Sequence, residues 1–495
     1  MNRIALAAAL ALAFASASAA PYLILNEDND HFFKYPAAFM DEKHLVAYVD
    51  QIAEGGQVTH IFFCPTGGRA SFDSKTWEPI WRGLEEYPKE ETWFLFYRWA
   101  VNAKALHDKG IDPYAVWIRR CREKGISPWL APRMNDVHDA AASLTRYYRS
   151  TTFWRQHPEY RLYPGYNKTS WFHHQFNYAH KEVREDAHAM IEELFERYDF
   201  DGLAICANAW FPTETAEASA PIMNEFFRRV RRLADGWERK RGHRISLAMQ
   251  TSGSPDDCRR RGCDVGALAR DGVFDIVICD TWQNGLNVPV RQWREAFGGR
   301  DVKLIAGAHE NFTAAEREPC FGYQAAMYRG WADAVAARGV DGFHFWNLQY
   351  YPQEQYEVTR YGLDPAVTAA LPRSYMVTVR GRPPFRLDAG RTVETQVGVN
   401  TNGLASVVLG FRGRAPDDLR VTLNGTAAVW TREDFVSRYF FQENNAGREF
   451  EHRLDLQARR CFFPAGTVRQ GANTVAIAPT RGGEEVVYFE LRLDP

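Results

Sequence analysis

Asp275-Ile276-Val277-Ile278-Cys279-Asp280-Thr281-Trp282 holds the pattern that decides the fold: a short apolar run that ends abruptly in polar and aromatic side chains. The run shows no clean polar alternation, as a strand covered on both faces should not. Seven more such runs occur, at 22–25, 59–64, 127–131, 202–207, 245–249, 302–306 and 342–346. Segments with helical spacing lie between them, among them 113–124, 183–198, 222–240 and 324–338. Strand and helix alternating eight times predict an α/β fold, a (β/α)8 TIM barrel over 20–365. A doubly wound open sheet is the competing reading, but no Gly-rich phosphate loop follows any strand.

Past Tyr361 helical periodicity stops. Short β-type runs at 406–411, 419–423, 474–477 and 485–493 are separated by turn signals such as Asn402-Gly403, Asn424-Gly425 and Gly482-Gly483. This predicts a smaller all-β sandwich over 373–495, bracing the barrel by default. Its Trp430, Tyr439, Phe440 and Phe441 offer aromatic surface for a glycan, yet core packing accounts for them equally.

The N-terminus reads as an export signal over 1–19: Arg3, an apolar stretch over 4–14, and the small-x-small triplet Ala17-Ser18-Ala19. The apolar stretch is too short for a membrane span, so a secreted or periplasmic protein is expected. The 495 residues are 45% hydrophobic and 25% charged, which excludes disorder and coiled coil for the whole chain. Lys+Arg 60 against Asp+Glu 62 leaves a formal charge of −2, so no basic field draws the chain to nucleic acid. Aromatic residues reach 14%, with 15 Trp and 22 Tyr, an excess that suits both a large core and a cleft stacking flat ligand faces. Of the 8 cysteines, Cys258 and Cys263 are spaced for a small disulfide ring, whereas Cys64, Cys206 and Cys279 sit in apolar runs as buried thiols.

In a barrel of this kind reactive groups come from the C-terminal strand ends. The exits carry Asp28, then Thr66-Gly67-Gly68-Arg69, then Arg133, Asn135, Asp136 and His138. Further round come Asn208 and Trp210, Gln250-Thr251-Ser252, Asp280 and Trp282, His309 and Glu310, and Trp346 with Asn347. Carboxylates and amides pair with hydroxyls while indoles stack on C–H faces, so the rim suits a carbohydrate. Glycoside hydrolysis needs two carboxyls, one protonated and one ionised. Strand parity selects Asp280, on the face of Ile276 and Ile278, and Glu310, taken on the face of Leu304, Ala306 and Ala308 with Lys303 outward. Glu310 is then nucleophile or base and Asp280 the acid, with the roles open to exchange. Asp28 and Asp136 are reserves, better explained as ligand-binding groups or partners of Arg133.

The other polar residues read more plainly. His138 and His309 suit sugar hydroxyls, though a lone His is more often structural. Trp210, Trp282 and Trp346 are stacking platforms or rim packing. The acidic group Glu27, Asp28 and Asp30 is a poor reason to expect a metal, and no cofactor is expected. No Gly-x-Ser-x-Gly elbow anchors a Ser-His-Asp triad. Asn-x-Thr triplets at Asn167, Asn311 and Asn424 matter only in a glycosylating host.

The stretches Gly125-Ile126-Ser127 through His138, 177–184, 197–203 and Gly339-Val340-Asp341-Gly342-Phe343 resemble the bacterial glycoside-hydrolase-like barrel family of polysaccharide degraders. The resemblance covers about residues 22 to 360, and 463–475 resembles the β-sandwiches appended to such barrels. It implies an exported glycoside hydrolase acting on a poly- or oligosaccharide. It also implies Glu and Asp on strand four, where this chain carries Ala204 and Cys206. Either the catalytic pair lies elsewhere on the rim, or the barrel binds carbohydrate without cleaving it. A lyase or esterase acting on acidic glycans is a third reading.

Overall fold

A computed structural model describes residues 21–28, 31–86, 94–136, 150–162, 174–206, 216–280, 288–308, 324–346, 348, 358–363, 365–376, 385–387, 391–398, 401–412, 415–416, 418–430, 435–445, 448–478 and 484–495. The expected leader lies outside them. Eight parallel strands close into a barrel: β1 (Tyr22–Glu27), β2 (His60–Phe63), β3 (Ser127–Leu130), β4 (Gly202–Cys206), β5 (Ser246–Ser252), β6 (Ile276–Asp280), β7 (Lys303–Ala308) and β8 (Gly342–Phe345). Each pairs with its neighbours in sequence, and β8 returns to β1 through Tyr22 opposite Gly342. All eight apolar runs are therefore barrel strands.

Seven of the helices that cover them are α1 (Glu42–Ala53), α2 (Phe94–Asp108), α3 (Pro113–Glu123), α4 (Lys181–Arg197), α5 (Ala216–Arg241), α6 (Val290–Phe297) and α7 (Gln324–Ala336). α3 shows how local sequence sets such a helix. The Asp112 side chain accepts from the Tyr114 and Ala115 N–H groups, and Pro113 occupies the first turn, where its missing N–H costs nothing. Tyr114, Trp117, Ile118 and Cys121 form the buried stripe, and Gly125, at φ 70°, lets the chain turn away.

The barrel has two apolar layers. Ile24, Phe62, Trp129, Ala131, Ala204, Ala248, Ile276, Ile278 and Ile305 fill its interior. Trp129 is the largest of them; it stacks on Phe62 at 4.9 Å, and Gly202 on β4 makes room for it, since a Cβ there would lie 2.3 Å from the indole. Leu23, Leu25, Ile61, Phe63, Leu304, Ala306 and Ala308 belong instead to the layer between barrel and helices. This reverses the parity expected for β7: Ile305 points inward, and Leu304, Ala306 and Ala308 point out to the helices. Lys303 opens the inner-facing row because it stands at the first position of β7, at the end of the barrel, half-buried, with its ammonium reaching Asp301 at 2.6 Å.

The C-terminal region is a sandwich of two antiparallel sheets. Its strands are β9 (Arg373–Met376), β10 (Phe385–Leu387), β11 (Arg391–Val397), β12 (Leu404–Arg412), β13 (Arg420–Leu423), β14 (Thr426–Ala427), β15 (Val429–Trp430), β16 (Phe435–Asn445), β17 (Arg448–Phe463), β18 (Gly471–Ala478) and β19 (Glu484–Asp494). One sheet runs β9-β19-β12-β17-β15, with β10 on β19 and β16 on β17; the other runs β11-β18-β13-β14. Val407, Leu409, Phe411, Phe489 and Leu491 of the first pack on Val421, Leu423, Val475 and Ile477 of the second. The expected Asn424-Gly425 turn joins β13 to β14, both residues at positive φ (50° and 86°) with Leu423 opposite Thr426. Trp430 packs against this core under the Arg459 guanidinium, 4.6 Å away; nothing is described for the side chains of Tyr439, Phe440 and Phe441.

Sandwich and barrel meet along α7. Gly330 permits the approach: a Cβ there would come within 2.1 Å of the Ser374 carbonyl oxygen. Arg329 donates to the Pro372 carbonyl at 2.8 Å, and buried Asp333 accepts from the Tyr375 hydroxyl at 2.6 Å and the Gly398 N–H at 2.7 Å. Cys258 and Cys263 are free buried thiols, so the disulfide ring is not formed; Cys258 lies 2.9 Å from the Thr251 hydroxyl instead. Cys64, Cys206 and Cys279 are buried thiols, as expected. Among the described residues, no helix is long and apolar enough to cross a membrane.

Candidate active site at the barrel mouth

Asp280 ends β6 on the inner face, two and four residues beyond Ile278 and Ile276, which plug the barrel below it. It is 3% exposed. Gln250, on the inner face of β5 opposite Ile278, donates from Nε2 to Asp280 Oδ2 at 3.0 Å. An amide donor at this distance favours the ionised carboxylate, while burial favours the protonated form.

The exit of β3 is organised by one guanidinium. The Arg133 backbone extends the barrel pairing to Gly67 and Cys206, and its N–H donates to the Thr66 hydroxyl at 3.1 Å. Its side chain then bridges two carboxylates, donating to Asp28 from Nη2 and to Asp136 from Nη1 at 2.8 Å. Burial opposes the Arg133 charge, but Asp28 and Asp136 outweigh it and hold its pKa well above the ordinary value. Asp28 and Asp136 thus act as partners of Arg133, the plainer of their two expected roles. Asn135, expected to bind sugar, clamps a loop: its Nδ2 donates to the Phe176 carbonyl at 3.1 Å and its Oδ1 accepts from the Phe176 N–H at 2.8 Å.

β8 supplies His344 and, just beyond it, Trp346. Trp346 is 2% exposed, edge-on to His344 at 5.6 Å and 5.7 Å from the Arg133 guanidinium. It is wall rather than open platform. β4 contributes Ala204 and Cys206 to the inner face, both buried, so the described part of that strand carries no carboxylate into the mouth. His138, Asn208, Trp210, Trp282, His309, Glu310 and Asn347 lie outside the described residues. Of the sequence-selected set, the structure therefore brings Asp28, Arg133, Asp136 and Trp346 together, and sets Asp280 beside Gln250 on the inner face of β6. The parity argument that favoured Glu310 does not stand, because it rested on Leu304, Ala306 and Ala308 facing inward.

Two residues escaped the sequence reading. Glu27 looked like one more acidic strand end; it is an anchor, accepting from Tyr48 Oη and from the Phe32 N–H at 3.1 Å, with His31 Nδ1 at 3.0 Å. His344 was hidden inside an apolar run, although its spacing of two from Trp346 marks it as inward-facing. No group of three or more His, Cys, Asp or Glu among the described residues is placed to hold a metal ion.

No protein-family model matches the chain, and no curated protein matches it. Solved structures with some likeness include the glycoside hydrolase domain of PgaB from Bordetella bronchiseptica, at 10% identity and a TM-score of 0.40 over 69% of this chain and 98% of that one. A mutant Streptomyces plicatus β-hexosaminidase gives 13% identity and a TM-score of 0.41 over 70% of this chain and 64% of the other. A Paenibacillus cycloisomaltooligosaccharide glucanotransferase gives 9% and 0.36; 97% of this chain spans only 58% of that enzyme. At these scores the likeness carries no functional argument, and the chemistry has to be read from the mouth itself.

Proposed function

We propose that this chain is an exported glycoside hydrolase, cleaving a poly- or oligosaccharide at the C-terminal mouth of its barrel. The observation that carries the reading is Asp280: a carboxyl at the end of a barrel strand, on the inner face, held by Gln250 in a buried setting. Low local dielectric and a fixed orientation are what a carboxylate needs to stabilise an oxocarbenium-like transition state. Glu310, two residues past the end of β7, is the second carboxyl of the pair, supplied by the chain beyond the strand and not by strand parity. One carboxyl of the pair donates the proton and the other, ionised, is nucleophile or base, with the two roles open to exchange. Glycan hydroxyls would meet the polar rim, with Trp210 and Trp282 as stacking partners. In this reading 20–365 is the catalytic unit, and the sandwich over 373–495 holds α7, the helix that leads into β8.

A second reading is favoured by Ala204 and Cys206: a barrel that binds glycans without cleaving them. The deciding measurement is release of new reducing ends from a panel of plant, algal and host glycans. Asp280→Asn and Glu310→Gln should each abolish release while the thermal melt stays intact. Full activity in either variant overturns the assignment, and binding without any release supports the second reading.

A further inference from the structure

His344 is completely buried, with neither ring nitrogen hydrogen-bonded, and burial drops its pKa to about 3, so the ring stays neutral. Leaving two polar nitrogens unanswered in a barrel interior is costly, and an apolar residue of similar size would avoid that cost. The register shows what the residue faces. His344 and Asp280 both pair with Gly307, one from each side, so their Cα atoms lie two strand spacings apart, roughly 10 Å. Gly307 projects no side chain into the interval, and a Cβ there would come within 3.0 Å of Asp280 Cα. Phe62, with its ring 5.7 Å from the imidazole, and Trp346 close the other sides.

We propose that His344 is a positioning residue for the Asp280 carboxylate, the two linked by the hydroxyl of one water molecule lodged over Gly307. The proposal rests on the reading of Asp280 given above. The hydroxyl donates to a carboxylate oxygen and is held in turn by an imidazole nitrogen, so the arrangement favours the ionised acid. The other charged or titratable groups on this part of the inner face, among the described residues, are Arg133 with Asp28 and Asp136, and the Cys206 thiol. Gln250 on β5 and Asn26 on β1 are neutral. Lys303 and His60 share the inner face but stand at the far end of the strands.

The test is direct titration of the Asp280 carboxyl in the full chain, by carbon-13 NMR of labelled aspartate assigned against Asp280→Asn. His344→Phe should raise the midpoint by about one pH unit, a roughly tenfold change in protonation, and His344→Gln should restore part of it. An unchanged or lowered midpoint in a cooperatively melting His344→Phe protein overturns the proposal. Should that variant fail to fold, the nitrogen-15 signals of the His344 ring are compared between native protein and Asp280→Asn. A change supports the link, and identical signals overturn it. Neither readout needs turnover, so loss of the hydrolase reading, shown by full activity in Asp280→Asn, stays distinguishable from loss of the link.

Discussion

The seam under α7 and the mouth of the barrel both bury charge, and they treat it in opposite ways. At the seam the Asp333 carboxylate, with no exposed side-chain surface, is met by a phenol, a backbone N–H and, 3.7 Å away, Arg373. Those partners come from the opposite domain, and together they lock two bodies. At the mouth, Asp280 has Gln250 beside it, both ring nitrogens of His344 lack a hydrogen bond, and Gly307, which carries no side chain, stands between the two in register. Buried polarity answered within the protein builds structure, whereas a buried ring such as that of His344, with both nitrogens unanswered, is placed to meet something else.

The contrast breaks most visibly at the seam. Asp333→Ala should destabilise the protein by about 3–5 kcal/mol, because it removes the buried acceptor of the Tyr375 hydroxyl and the Gly398 N–H and the charge paired with Arg373; urea denaturation measures this. A loss below about 1 kcal/mol would make the seam dispensable.

Asp186 lies between the two extremes. Burial lifts its pKa to about 6, with Glu78 adding to the rise, while the Trp77 indole N–H, donating at 2.8 Å, pulls it down. A carboxyl with a raised native pKa binds more protons folded than unfolded, so stability falls as pH rises from about 4 to 6. Asp186→Asn should therefore stabilise the protein by about 2–3 kcal/mol at pH 8 and leave it unchanged near pH 3. Melts at the two pH values check the sign.

The smallest stability effect belongs to the mouth. Asp280→Asn should change folding free energy by less than about 1 kcal/mol, since an amide can still pair with Gln250. A loss as large as that of Asp333→Ala would move Asp280 into the structural class.

The barrel was legible because each strand announces itself locally: a buried parallel strand is largely apolar on both faces, and the eight runs follow this with few exceptions, among them His60, Lys303 and His344. Helices were equally plain where a stripe and a cap coincide, as at Asp112-Pro113. Face assignment was less secure. Lys303 reads as outward in sequence, yet a long cationic stem at the open end of a barrel can lie inside and still wet its ammonium. Glu27 could not be distinguished from Asp28, because what separates them is Tyr48, 21 residues on, and His31 on one side against Arg133, 105 residues on, on the other.

Periodicity and composition by themselves determined a β/α ring and an appended β-sandwich, because those follow from local burial and turn chemistry. Only the tertiary structure decided which carboxyls are spoken for. Arg133 reaches Asp28 across the ring, and Asp280 meets Gln250 and faces His344 across Gly307, because closing the barrel sets strand ends from distant parts of the chain side by side.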